Sequence, residues 1–352
     1  MAYNNKREEK PDNLAVLKQE IKDKNPRSLY IFHGEESYLK THYLGMLRKQ
    51  LLTGIADEFN YHRFDQETMD LDSFQDAVDA LPMMAERTFV LVNDYDPAKA
   101  NEADRERLTA ILSDIPDYCC IVFYFETLEW PSEKEYKAIH KVMSANGLPV
   151  HFKKQTGREL VTWIRRHFLQ QKKEIDERTC QYLIFVTGGG MTALASEIRK
   201  ICAYSEAQVI TRSDIDAVVE PVLDAEVFQI TDALCSGDYS KALEKLQTVL
   251  KMQEDPIKIL GGIGSQMRRL RTAKVLHANK RGYDVLKKLY APLSDYPARK
   301  TMQAAERVSQ TFCDQAVLIC TETDEKIKTS ADDPERLLEL LILRIAGEDR
   351  YV

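Results

Sequence analysis

Short strand-like runs separated by helix-length segments fill the first 154 residues and constrain the fold more than any other feature. The runs are "SLYIFH" (28–33), "NYHRFD" (60–65), "TFVLVNDYD" (88–96), "YCCIVFYFET" (118–127) and "LPVHFKK" (148–154). Around them, residues 12–24, 37–53, 71–81, 100–114 and 133–147 read as helices. Leu14, Leu17 and Ile21, or Leu71, Phe74, Val78 and Leu81, recur at helical spacing. Ser37 and Gly147 are the expected caps of two of these helices. Strands alternating with helices of this length predict a parallel sheet wrapped by helices. From Thr156 the strand signals stop, and 156–172, 176–187, 191–204 and 212–220 read as short helices, two of them joined by "TGGG" (187–190). After Pro221 the segments 226–236, 239–253, 256–279, 284–290, 297–320 and 332–347 read as further helices. The expected layout is an α/β domain (1–154), a small helical domain (155–221) and a larger helical domain (222–352).

The first strand runs into "HGEESYLKT" (33–41), nearly a phosphate-binding loop, which reads G-x-x-x-x-G-K-[ST] after a strand. Gly34, Lys40 and Thr41 hold their places, but Leu39 stands where the second glycine belongs. That glycine lets the backbone approach a phosphate without a Cβ clash. Glu35 and Glu36 also lie inside the loop, where carboxylates repel polyphosphate and compete for the N–H donors it needs. Productive nucleotide binding is therefore not expected, and Lys40 and Thr41 read as ordinary first-turn helix residues. A magnesium-holding site would place an Asp, often Asp-Glu, directly after an apolar strand. Here the strand ends Asn93-Asp94-Tyr95, with the Asp one place late and no Glu following, so Asp94 is expected in a solvated turn. No catalytic residue, nucleotide site, metal site or cofactor is expected from these motifs.

Composition excludes several classes. At 44% hydrophobic and 30% charged, the chain is ordinary for a globular protein. No apolar run approaches the roughly 18–20 residues that span a bilayer, and the polar start "MAYNNKREEKPD" is no secretory signal. A cytoplasmic protein with no membrane partner is expected. The seven cysteines form no C-x-x-C pair, so a disulfide framework or a four-cysteine zinc site is not expected. A net charge of −7 disfavours a free-standing nucleic-acid binder while leaving room for local basic faces.

Two segments stand out as surfaces. In "DALPMMAERTFVLV" (79–92) the helix stops at Pro82, and Met83 and Met84 follow in a turn before a buried strand. Adjacent residues of a short turn do not both point into one core. Either both methionines serve as an exposed, polarizable binding element, or one of them fills the core under the helix. The second segment, "QMRRLRTAKVLHANKRGYDVLKKLY" (266–290), includes Arg268, Arg269, Arg271 and Lys274. These read either as a solvated or ion-paired helix face or as phosphate contacts.

Six blocks occur in sequence: "YIFHGEESYLKTHYLGML" (30–47), "FNYHRFD" (59–65), "LPMMAERTFVLVND" (81–94), "GGGMTALASEIRKICAY" (188–204), "ITRSDIDAVVEP" (210–221) and "VFQITDALCSGDYSKALEKLQTVLKMQEDPIKILGGIGSQMRRL" (227–270). In this order and spacing they resemble, over nearly the full length, the delta-subunit family of the bacterial DNA polymerase III clamp loader. The resemblance implies an AAA+-like domain of the P-loop NTPase type, a small helical lid and a helical collar for oligomerisation. It implies no intrinsic catalysis. Its partners would be the beta sliding clamp, the gamma/tau ATPase subunits and the delta-prime subunit through the collar, and primer-template DNA within the assembly. In this family a turn of the first domain inserts two apolar side chains into a clamp pocket. Those positions match Met83 and Met84, flanked by Leu81, Pro82 and Ala85. The family often has Leu-Phe at the pair, so the methionines depart from it.

The alternatives are an active AAA+ ATPase of a replication or repair complex, a delta-prime-like stator and a plain DNA-binding protein. The delta-prime family carries a zinc-binding cysteine cluster and a Ser-Arg-Cys finger, and neither occurs in this sequence.

Overall fold

The strand-like runs of the first 154 residues pair as one parallel sheet. A computed structural model describes residues 12–130, 137–291 and 293–348. The chain divides between Gln155 and Thr156 into two units.

In the first unit, α1 (Asn13–Lys22), β1 (Leu29–His33), α2 (Ser37–Leu51), α3 (Ala56–Asn60), β2 (Tyr61–Phe64), α4 (Leu71–Asp79), β3 (Thr88–Asn93), α5 (Glu102–Ser113), β4 (Cys119–Tyr124), α6 (Lys137–Asn146) and β5 (Leu148–His151) follow one another. The strand order is β2-β3-β4-β1-β5, all neighbours parallel. Near-continuous apolar runs suit such a sheet because both faces are covered. Leu29 and Ile31 pack on one face with Val90, Ile121, Phe74 of α4, Leu108 of α5 and Met143 of α6. Tyr30 and Phe32, one residue out of phase, pack on the other with Leu91, Val122, Leu17 of α1 and Leu47 of α2.

Local chemistry sets the helix starts. Asp70 accepts the Ser73 N–H at 2.9 Å. Asn101 accepts the Asp104 N–H at 2.8 Å. Each supplies a partner for an orphan donor of the first turn. The residue capping α2 is Glu36 rather than Ser37, which is already the first helical residue. The expected helix over 133–147 is present as α6, and its positions 133–136 lie outside the described residues.

The second unit begins with α7 (Arg158–Gln170), β6 (Glu174–Ile175), α8 (Glu177–Thr187), α9 (Met191–Tyr204), β7 (Val209–Ile210) and α10 (Arg212–Val218). It continues with α11 (Leu223–Ser236), α12 (Tyr239–Lys251), α13 (Pro256–Ala278), α14 (Tyr283–Leu289), α15 (Asp295–Arg307), α16 (Gln310–Thr329) and α17 (Pro334–Ala346). Gly188 ends α8 in the left-handed region, as the "TGGG" turn requires.

Two expectations fail here. Strands do not stop at Thr156: β6 and β7 form a two-residue parallel ladder, too short to show any alternation. The segment 297–320 is not one helix. Val308 is extended and Ser309 accepts the Phe312 N–H at 2.9 Å, starting α16 afresh. A serine cap competing with helix continuation explains the break. Among the described residues all seven cysteines are free and six of them are buried, as small apolar side chains would be.

Candidate functional site

The loop after β1 has the strand-turn-helix geometry of a phosphate site but spends its polar groups on the protein itself. Gly34 sits at φ 108, and a Cβ there would lie 2.5 Å from the Phe152 carbonyl oxygen. The glycine therefore serves a close approach of two backbones. Glu36 N–H donates to the same Phe152 oxygen at 3.1 Å, and Phe152 N–H donates to the His33 oxygen at 2.8 Å. The Glu36 carboxyl is buried, and that burial holds its pKa above the usual carboxylate value.

Lys40 and Thr41 are not ordinary first-turn residues. Lys40 is 1% exposed, and its Nζ donates to the Phe125 carbonyl at 2.7 Å. The same ammonium lies 3.3 Å from the Glu126 carboxylate and over the Tyr124 ring at 5.3 Å. Thr41 Oγ1 lies 3.0 Å from the Tyr124 hydroxyl. The lysine that would reach a phosphate is thus turned into the domain as a brace between α2 and the end of β4. A buried ammonium demands such partners, because leaving it unpaired costs several kcal/mol. Beside it the His33 and His151 rings stack at 4.9 Å and 5°. Burial, then the neighbouring His151, lowers the His33 pKa to about 4.

Asp94 lies half-exposed in a bend after β3, as expected, but its carboxylate is fully engaged. It adopts φ 44, and its carboxylate accepts the N–H groups of Glu126 (2.7 Å), Thr127 (3.0 Å) and Leu128 (3.2 Å) and the Thr127 hydroxyl (3.0 Å). Burial raises its pKa, but these donors outweigh burial and hold it below the usual range. It knits the exits of β3 and β4 together.

The turn after α4 is the opposite case, with apolar groups facing outward. Leu81 is 74% exposed, Met83 57% and Met84 81%, while Ala85 packs against the same core as Tyr61 and Phe89. Of the two sequence readings of the methionines, the structure has both exposed. Met84 lies at φ 59. That conformation costs a side-chain-bearing residue roughly 1–2 kcal/mol and persists only when its neighbours fix it. The residue before it, Met83, is bound by Asn60. Its Nδ2 donates to the Met83 carbonyl at 2.7 Å and to the Ala56 carbonyl at 2.6 Å, and its Oδ1 accepts the Met83 N–H at 2.6 Å. Two more apolar side chains, Ile55 and Phe59, are exposed at and beside α3. The short α3 is itself held by Arg48, whose guanidinium grips Asp57 at 2.8 and 2.6 Å and covers the Tyr61 ring at 3.7 Å. Sequence reasoning missed both α3 and Asn60. The available signal was a lone amide between Phe59 and Tyr61, four residues after Ala56.

On α13 the four basic residues do not act alike. Arg268 is exposed, Arg269 is half-buried over the Tyr290 ring at 5.8 Å, and Lys274 is half-buried. Arg271 is paired with Asp314 of α16. The helix is partly an ion-paired face, and Arg268 and Arg271 are the exposed cations among these four.

Comparison with known proteins adds to this geometry. A family model described as DNA polymerase III, delta subunit, matches residues 30–152, and one described as its C-terminal domain matches 224–345. The chain is 23% identical over 325 residues to DNA polymerase III subunit delta of Bacillus subtilis, covering 90% of this chain and 92% of that one. It is 24% identical over 269 residues to the probable DNA polymerase III subunit delta of Aquifex aeolicus, covering 74% and 73%. Among solved structures it resembles the Bacillus subtilis DNA clamp loader delta protein with TM-score 0.56 at 19% identity, over 95% of this chain and all of that one. The fold is thus a parallel α/β domain followed by a mainly helical region, as in that clamp loader delta protein. Two matched delta-subunit models in the right order, together spanning more than half of the sequence, carry the assignment: the chain belongs to the DNA polymerase III delta-subunit family.

Proposed function

We propose that this chain is a non-catalytic clamp-loader subunit that grips the beta sliding clamp through Met83 and Met84 and favours its open form. The observation that carries this reading is the turn at 81–85, where two adjacent methionines stand exposed on a fixed backbone. Flexible, polarizable thioethers suit an apolar pocket on a partner. Burying both would contribute roughly 3–6 kcal/mol before ordering costs. Leu81, Pro82 and Ala85 flank the pair, and the exposed Ile55 and Phe59 offer further apolar rim.

Opening follows from differential binding. The chain shifts the ring toward an open state only by as much as it binds that state better than the closed one. Nucleotide turnover belongs on this reading to ATPase partners, because Lys40 is committed to Phe125 and Glu126. The three-part layout (1–154, 155–221, 222–352) assigns the last part to collar contacts with the gamma/tau and delta-prime subunits. Arg268, Arg269 and Lys274 are candidate contacts to primer-template DNA, with Arg271 the weakest of the four because Asp314 engages it. Among the described residues no helix is long and apolar enough to cross a membrane, which suits a cytoplasmic loader.

The test is surface-plasmon binding to a bacterial sliding clamp, wild type against Met83→Ala/Met84→Ala. At least a tenfold loss with unchanged circular dichroism is expected. Equal binding by the double variant would remove the anchor assignment.

A further inference from the structure

We infer that Asn60 is a positioning residue for clamp binding: its buried side-chain amide locks the Met83–Met84 turn into its presenting conformation before the clamp arrives. The inference rests on the proposed clamp anchor and extends it to a residue 23 positions earlier in the chain.

The Asn60 side chain is 1% exposed, and each of its polar atoms has a partner. It offers Met83 one donor and one acceptor, as a neighbouring strand would. Both backbone groups of Met83 are thereby consumed at 2.6 and 2.7 Å. On the far side Ala85 is packed against the core, so Met84 is bracketed by two fixed residues. Met84, at φ 59 and 81% exposed, has no packing of its own to hold it there. The bracket does that. The support has a third layer, since α3 carries Asn60 and is tied to α2 by Arg48 and Asp57. Only an amide of this length satisfies the geometry. Alanine leaves the Met83 N–H and carbonyl without partners, and aspartate loses both donors.

A fixed turn binds more tightly because less backbone freedom is lost on docking. Loosening one bracketed turn is expected to weaken clamp affinity about tenfold.

The experiment uses the full chain in two arms. Hydrogen exchange at the turn is compared between wild type and Asn60→Ala, with no clamp present. The Met83 amide should be protected in wild type and exchange at least tenfold faster in the variant, while amides of β3 and β4 stay unchanged. Clamp affinity is then measured for wild type, Asn60→Ala, Met83→Ala/Met84→Ala and the triple variant. Asn60→Ala should bind about tenfold more weakly, and the same substitution should have no effect once both methionines are gone. An unprotected Met83 amide in wild type overturns the inference. So does Asn60→Ala binding as tightly as wild type while the methionine double variant is weakened, which leaves the anchor itself intact. If the double variant also binds like wild type, the anchor reading falls and the inference with it. An undiminished Asn60 effect in the triple variant means that Asn60 acts by another route, and overturns it too.

Discussion

Lys40 separates a working phosphate loop from a structural one. In a working loop the lysine faces the ligand, so removing it costs binding and little stability. Here its ammonium is buried, donates to the Phe125 carbonyl and faces Glu126. Lys40→Met keeps the aliphatic stem but leaves that carbonyl unpaired, at a cost of roughly 2 kcal/mol. Lys40→Ala also removes three buried methylenes at about 0.8 kcal/mol each, bringing the cost to roughly 4 kcal/mol. Trp130 reports on this region, since its ring lies 5.5 Å from Phe125 and 6.1 Å from His33. The sequence has two tryptophans, so a Trp163→Phe parent isolates the Trp130 signal. With a urea slope of about 2 kcal/mol/M, the midpoint should fall by about 1 M for Met and about 2 M for Ala. Midpoints within about 0.3 M of the parent, or micromolar ATP binding by wild type, would refute the argument that this lysine has become a brace.

Two further outcomes follow from other residues. His33 is held neutral in the folded chain, with its pKa lowered from 6.5 to about 4. The unfolded chain therefore binds more protons between these values, so stability is full above about pH 6.5 and falls as pH drops toward 4. His33→Gln should flatten this part of the pH profile of the urea midpoint, read from Trp130; an unchanged profile would contradict it. In an assembled loader, Arg268→Ala/Lys274→Ala should make the slope of log affinity against log salt shallower by roughly 2, whereas Arg271→Ala should leave it nearly unchanged because Asp314 already engages that arginine. Equal slopes for wild type and the double variant would remove these cations from the DNA-contact reading.

The parallel sheet was legible because its central strands β1, β3 and β4 are buried on both faces and read as near-continuous apolar runs, such as Cys119–Tyr124. The five-residue α3 was not, since it is too short for periodicity and is held from outside through Arg48 and Asp57. The break at Val308-Ser309 turns on one local cap, and the two-residue ladder of β6 and β7 pairs Glu174 with the distant Val209, so neither leaves a periodic signal in the sequence. At the site, "HGEESYLKT" departs from the phosphate-loop pattern at Leu39 and carries two glutamates. It did not show that Lys40 turns inward, because a lysine in a first helical turn is ordinarily exposed and its partners lie 85 positions away in the chain. The bonds of Asp94 were likewise not legible, since its donors come from the exit of β4. The methionine turn was legible in the sequence, but the Asn60 amide that binds the Met83 backbone was not, because α3 carries it there only once folded.

On the proposed function, this chain opens the ring by holding its open form through Met83 and Met84. Release of a closed clamp from circular DNA, followed with and without the chain, tests it most directly. Wild type should accelerate release in proportion to its binding, and Met83→Ala/Met84→Ala should leave release at the spontaneous rate. Release at the same rate with and without the wild-type chain, or equally fast with the double variant, would contradict the account.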